Sequence, residues 1–107
     1  MKSKAIIYTR ISAVENDYIH SFEQTEALYN FCTDSGIEAV AHFHDNANGA
    51  SFNRKGWQKL ISYLESHPNS IEYVFFTDWD RFSTSFSATI SELIKLKSLG
   101  VKVSAIE

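Results

Sequence analysis

The chain contains three arginines, Arg10, Arg54 and Arg81, while many of its other charged positions carry lysines such as Lys55, Lys59, Lys95, Lys97 and Lys102. An arginine is always charged and presents a planar fork of donors that matches a phosphate, whereas a lysine is a more hydrated point charge suited to solvated faces. Arg10 ends one apolar run, Arg54 closes the loop after a second, and Arg81 follows a third. If those runs are parallel strands, all three guanidinium groups lie on one edge of the sheet. Two readings fit: an anion site, or three separate ion pairs with Glu15, Asp45, Asp78 or Asp80. Ser12 stands two residues after Arg10. A serine there serves as a turn or cap residue, or as a nucleophile if the edge holds an electrophilic phosphorus. Asp78 and Asp80 do not read as a magnesium or phospho-acceptor pair, because Thr9 and Arg10 stand where further carboxylates would be needed. His42 and His44 share a strand face without an evident third ligand, which makes them ordinary polar residues of an edge. No metal or other cofactor is expected.

Four runs rich in β-branched and aromatic residues must carry this edge: Ala5 to Thr9, Glu38 to Phe43, Glu72 to Thr77 and Val101 to Ile106. Three segments of helical spacing alternate with them. Their apolar stripes are Ala27, Leu28, Phe31 and Cys32, then Trp57, Leu60, Ile61 and Leu64, then Phe86, Ile90, Leu93 and Ile94. Gly36 and Gly100 sit where left-handed helix caps are wanted, and Pro68 bars continuation of the second helix. Ser21 and Gln24 read as a capping box at the start of the first helix. The predicted order is β-α-β-α-β-α-β, an α/β fold with a mainly parallel sheet and helices on both faces. Loops of about ten residues, Arg10 to His20 and His44 to Asn53, follow the first two strands, at the edge where open α/β sheets place ligands. The segment 11–20 that holds Ser12 is expected to be mobile.

The 107 residues, 44% apolar and 21% charged, read as one domain spanning 1–107 that needs no disulfide framework. The lone cysteine, Cys32, and the short apolar patch from Ala5 to Tyr8 point to the cytoplasm, with no secretion signal and no membrane span. A net charge of -3 excludes the overall basic field of a free-standing nucleic-acid binder, so any phosphate contact is local.

Taken together, Tyr8-Thr9-Arg10-Ile11-Ser12, Ser21-Phe22-Glu23-Gln24, Asp45 with Asn48-Gly49-Ala50-Ser51, Arg54-Lys55-Gly56-Trp57 and Asp80-Arg81-Phe82-Ser83 resemble the catalytic domain of the serine recombinases: resolvases, invertases and serine integrases. The resemblance spans essentially the whole chain and implies a resolvase-like, flavodoxin-like fold. It also implies a substrate, a DNA phosphodiester, which Ser12 attacks to form a 5′-phosphoserine link before strand exchange and religation. Arg10, Arg81 and Arg54 would serve the phosphate, while Gln24, Asp45 and Asp80 would hold positions around them. DNA and further copies of the chain, as a homodimer and a synaptic tetramer of the full-length protein, are the implied partners.

Two departures qualify the resemblance. The family's D-R-x-x-R motif carries a second arginine where this chain has Thr84. Deleting one charge-stabilising donor costs about 3 kcal/mol in comparable oxyanion sites. The second departure is the end at Glu107, which reads as an N-terminal fragment lacking the long helix and DNA-binding module of family members. Thr84 motivates an alternative, a recombinase-like module with weakened catalysis kept for assembly or DNA binding. A phosphate or nucleotide binder on a flavodoxin-like sheet fits less well, since no glycine-rich loop follows the first strand.

Overall fold

The structure, a computed structural model, describes residues 2–12 and 18–107. Its elements run β1 (Lys4–Ile11), α1 (Tyr18–Asp34), β2 (Glu38–Asn46), α2 (Lys55–Ser66), β3 (Tyr73–Phe76), α3 (Trp79–Phe82), α4 (Phe86–Ser98) and β4 (Lys102–Ala105). All strand pairs are parallel, in the order β2-β1-β3-β4. Being central, β1 is buried along almost its whole length, as a continuous apolar run requires. On one face α1 covers Ala5, Ile7 and Phe75 with Leu28 and Cys32. On the other, Trp57, Leu60, Ile61 and Leu64 of α2 join Phe82 of α3 and Leu96 of α4 over Ile6, Tyr8, Val74 and Phe76.

The expected caps hold in part. Gly36 and Gly100 adopt φ of +69° and +79°, the left-handed conformation that costs a glycine nothing. α2 stops at Ser66 with His67 as its cap, one residue before Pro68. The capping box is not formed. α1 begins at Tyr18, so Ser21 lies inside it, where its carbonyl accepts from Thr25 Oγ1. The Gln24 side chain turns to the end of β1 instead. The third stripe faces inward only at Leu93, which packs against the core: Phe86, Ile90 and Ile94 are 82%, 43% and 67% exposed, and α4 buries Glu92 and Leu96. Glu92 is drawn inward because the buried Trp57 indole needs an acceptor, and its Oε1 takes that N–H at 2.7 Å.

β2 runs three residues past the expected Phe43, so the loop after it is shorter than expected. Within β2 the register shifts by one residue: Ala5 pairs with Ala39 but Ile6 with Ala41. This bulge at Val40 reverses which face each later residue takes, because strand side chains alternate with a period of two. His42 and His44 thereby point to the α1 side, and Phe43 and Asp45 to the α2 side. Among the described residues no helix is long and apolar enough to cross a membrane.

Asp45 exploits that placement. Its Oδ1 accepts from Gly56 N at 2.7 Å and its Oδ2 from Trp57 N at 2.8 Å, so a β2 carboxylate satisfies the first turn of α2. The close approach depends on Gly56, where a β-carbon would collide with the His44 carbonyl and lie 2.8 Å from Asp45 Oδ2. Gly56→Ala is therefore expected to destabilise the fold by about 1–3 kcal/mol, the usual cost of overpacking. Urea unfolding checks this; an unchanged midpoint would mean that α2 can retreat freely from β2.

The imidazoles on the other side supply a pH dependence. Burial, then the neighbouring His44, depresses the titration of His42; burial does the same to His44, with Asp45 and the Thr9 backbone opposing. A histidine that titrates lower when folded takes up its proton later than the unfolded chain does, so stability declines as pH falls below about 6.5. The denaturation midpoint should be lower at pH 5 than at pH 7.5, and His42→Gln with His44→Gln should flatten that difference.

Candidate active site

Arg10 ends in a cage of carbonyls. Its Nε donates to Arg81 O at 3.0 Å, Nη1 to Ala47 O at 2.8 Å and Nη2 to Asp80 O at 2.7 Å. One side chain of β1 thus ties the loop after β2 to α3. The Arg10 backbone is clamped from the other side by Gln24, whose Oε1 accepts from Arg10 N and whose Nε2 donates to Arg10 O, at 3.1 and 3.0 Å. This pairing, rather than a helix cap, is what the Gln24 side chain forms.

Arg54, the buried N-cap residue of α2, donates through Nε to Ser51 O, through Nη2 to Gly49 O and through Nη1 to the Tyr8 hydroxyl. Its guanidinium also lies 4.4 Å from the centre of the Phe52 ring. The Tyr8 hydroxyl in turn donates to Asp45 Oδ2 at 2.7 Å. Burial, and next the bond to Asp45, push its titration well above the ordinary tyrosine range, so it stays a donor. Arg81, half-buried in the last turn of α3, donates from Nη1 to Arg10 O at 3.3 Å. It lines a cleft of ≈160 Å³ with His20, Gln24, Asp78 and Glu107.

Gly49 joins these groups. Its carbonyl accepts from Thr84 N, Arg54 Nη2 and Ser83 Oγ, at 2.9, 3.2 and 3.3 Å. A β-carbon on Gly49 would lie 2.8 Å from Arg10 Nη2 and 2.9 Å from Thr84 Cγ2, so a larger residue would make these side chains shift. Arg10 and Arg54 thus meet at Gly49, and Arg81 reaches the Arg10 carbonyl from α3; all three stand at or after strand C-termini, with Ser12 two residues past Arg10. The contacts described above for Arg54 are with neutral groups, which bind a guanidinium without cancelling its charge.

Of the carboxylates weighed as arginine partners, Asp45 binds the start of α2, and Asp78 caps α3 by accepting from Arg81 N. The exposed Asp80 meets Arg10 through its carbonyl. Glu15 and the middle of the expected mobile segment, residues 13–17, lie outside the described residues; Ile11 belongs to β1 and residues 18–20 to α1. The Tyr8 hydroxyl and the Gly49 carbonyl are participants that the sequence reading missed, since neither a strand tyrosine nor a loop glycine signals a long-range contact.

A profile of the family described as "Resolvase, N terminal domain" matches residues 5–107. The chain belongs to the resolvase family. Among solved structures, this resolvase domain is similar to the C-terminal catalytic domain of ISC1926 TnpA, an IS607-like serine recombinase. The two are 30% identical with a TM-score of 0.80, over 97% of this chain and 67% of that one. It shares its fold with the N-terminal catalytic domain of TP901-1 integrase, at 22% identity and a TM-score of 0.86 over 97% and 78% of the two chains. The same holds for a resolvase family site-specific recombinase from Streptococcus pneumoniae, at 18% identity and a TM-score of 0.81 over 98% and 72%. No curated protein matches the resolvase domain by sequence. The four-stranded parallel sheet, with α1 on one face and α2 to α4 on the other, is thus the serine recombinase catalytic fold.

Proposed function

We propose that this resolvase domain breaks and rejoins DNA with Ser12 as the nucleophile. In the first step the bond from Ser12 Oγ to phosphorus forms as the bond from phosphorus to the 3′ oxygen breaks. The serine proton ends on the leaving oxygen, giving a 5′-phosphoserine link and a free 3′-hydroxyl. One phosphate ester replaces another, so no external energy source is needed, and the 3′-hydroxyl of a new partner strand reverses the step. A serine hydroxyl is a weak nucleophile, and the charge gathering on the phosphoryl oxygens calls for fixed donors in a partly dry site.

The observation that supports this reading is that Arg10 and Arg54 close on Gly49 while Arg81 Nη1 reaches the Arg10 carbonyl, all at the edge where Ser12 follows β1. Arg81, the more open of the three, and Arg10 are assigned to the phosphoryl oxygens. Arg54 is assigned to holding the 47–53 loop at the phosphate, Gln24 and Asp45 to fixing Arg10 and α2, and Asp80 to holding Arg10 through its carbonyl. The test is covalent capture from a library of random-sequence duplexes, with protein-linked DNA recovered after denaturation. Linkage through 5′ ends supports the reading; linkage through 3′ ends contradicts it.

DNA is the proposed substrate, and a second copy of the chain the proposed partner. Trp79, Phe86, Ile90 and Ile94 leave an apolar face on α3 and α4 of the kind that self-association covers.

Thr84 favours a second reading, a module retained for assembly with little catalysis. It is exposed beside a groove of ≈390 Å³ that Asp80, Ser83, Phe86 and Leu93 also line, so a longer side chain fits there. Thr84→Arg is expected to raise the capture rate by up to about a hundredfold, the worth of one added charge-stabilising donor. If neither the natural chain nor Thr84→Arg yields an adduct while both still dimerise, the assembly reading is the correct one.

A further inference from the structure

The Thr9 hydroxyl is fully buried, yet two imidazole nitrogens from the edge strand close on it: His42 Nε2 at 2.8 Å and His44 Nδ1 at 2.6 Å. We propose that His42 and His44, converging on Thr9 Oγ1, form a binding site for a borderline divalent transition-metal ion, Cu2+ above all.

Three observations carry this. The bulge at Val40 places both rings on the α1 side of β2, two residues apart, so both side chains leave the sheet in the same direction. Both residues keep an exposed side on a strand at the sheet edge, while the nitrogens that meet Thr9 are partly covered, so an ion approaches from the outer side of the rings. Their inner nitrogens, His42 Nε2 and His44 Nδ1, both meet the Thr9 hydroxyl oxygen, so an ion binds there by displacing these two hydrogen bonds. An ion about 2.0–2.1 Å from each imidazole nitrogen, with ligands near right angles, needs neighbouring donors about 2.9 Å apart by that geometry. The nitrogen-to-oxygen separations of 2.6 and 2.8 Å are close to this.

The hydroxyl has a single proton, so it donates to one ring and accepts from the other. The accepting arrangement requires one inner nitrogen to carry N–H. Metal binding moves that proton to the outer nitrogen of the same exposed ring, which leaves both inner lone pairs free. No oxidant or other reactant enters. Among the described residues no cluster of three or more His, Cys, Asp or Glu side chains is placed to hold a metal. The site is therefore bidentate in imidazole, with Thr9 Oγ1 and water completing the shell. That composition suits Cu2+, at the top of the affinity order for nitrogen ligands, ahead of Ni2+ and Zn2+. The ion would bridge β1 to β2 one residue before Arg10, on the opposite face from the Arg10 guanidinium.

The test is titration of the purified chain with Cu2+ at pH 7.5, read by calorimetry and by electron paramagnetic resonance. One equivalent should bind with the signature of two equatorial imidazole nitrogens, and binding should raise the thermal midpoint. His42→Ala and His44→Ala should each weaken affinity at least tenfold, since even partners outside the coordination shell are worth about 10–100-fold. Both positions are exposed, and circular dichroism verifies that the variants remain folded. Absence of a stoichiometric site, a spectrum with one nitrogen, or binding that survives the double substitution and so belongs to His20 or His67, would overturn the proposal.

Discussion

Ser12→Ala protein is expected to form no covalent adduct with DNA under conditions in which the unsubstituted chain does. Removing the nucleophile deletes the step itself, not one of its stabilising contacts, so capture should fall by about 10⁴-fold or more. Folding should be unaffected, because Ser12 lies beyond the end of β1, outside both apolar clusters. The informative comparison is with Arg81→Ala. That change leaves the hydroxyl but removes a cation assigned to the phosphate, and should cost about 10²–10³-fold. Equal losses in the two variants, with the fold intact, would argue that Ser12 serves the site in the same indirect way as an arginine.

Asp45→Ala is expected to have the largest effect on stability. The carboxylate accepts from Gly56 N, Trp57 N and the Tyr8 hydroxyl, at 2.7, 2.8 and 2.7 Å. Alanine would strand these donors beneath a packed interface. Each orphaned group costs about 1–3 kcal/mol, so a loss of about 3 kcal/mol or more is expected, a large part of a typical domain's stability of about 5–15 kcal/mol. Tyr8→Phe removes a single donor and leaves both amide bonds in place, which should cost about 1 kcal/mol. Chemical denaturation of both variants gives the comparison. Similar losses in the two would mean that the hydroxyl, not the start of α2, is what Asp45 supports.

Much of the architecture was legible because it is written in local periodicity. Trp57, Leu60, Ile61 and Leu64 form a stripe whose buried face nothing else contests, and the left-handed caps at Gly36 and Gly100 follow from backbone sterics alone. The α4 stripe misled for a physical reason. Phe86, Ile90 and Ile94 are as apolar as a core face, but a helix orientation is set by its neighbours, and here the Trp57 indole draws Glu92 inward. The length of β2 was hidden because His44, Asp45 and Asn46 look like a loop while pairing with Thr9, Arg10 and Ile11. The bulge at Val40 leaves no compositional trace, although it decides that Asp45 meets α2 and that the two histidines meet Thr9.

The placement of the three arginines was legible in the sequence more than their bonding. Arg10 near the end of β1, Arg54 before α2 and Arg81 in α3 all stand at or after strand C-termini, which places them on one edge by topology alone. What no spacing rule provides is that Arg10 holds three carbonyls, that Gln24 bonds the Arg10 backbone, or that a loop glycine links all of this to Thr84. These are contacts between residues distant in the chain, and their partners are mostly backbone oxygens that every residue carries.

The central claim, that the gathered arginines present a DNA phosphate to Ser12, is tested most directly by mapping the attachment point. The adduct is digested with nuclease and trypsin, and the peptide that begins at Ile11 is sequenced by mass spectrometry. A nucleotide 5′-phosphate on Ser12 is the expected result; attachment to any other side chain would contradict the account.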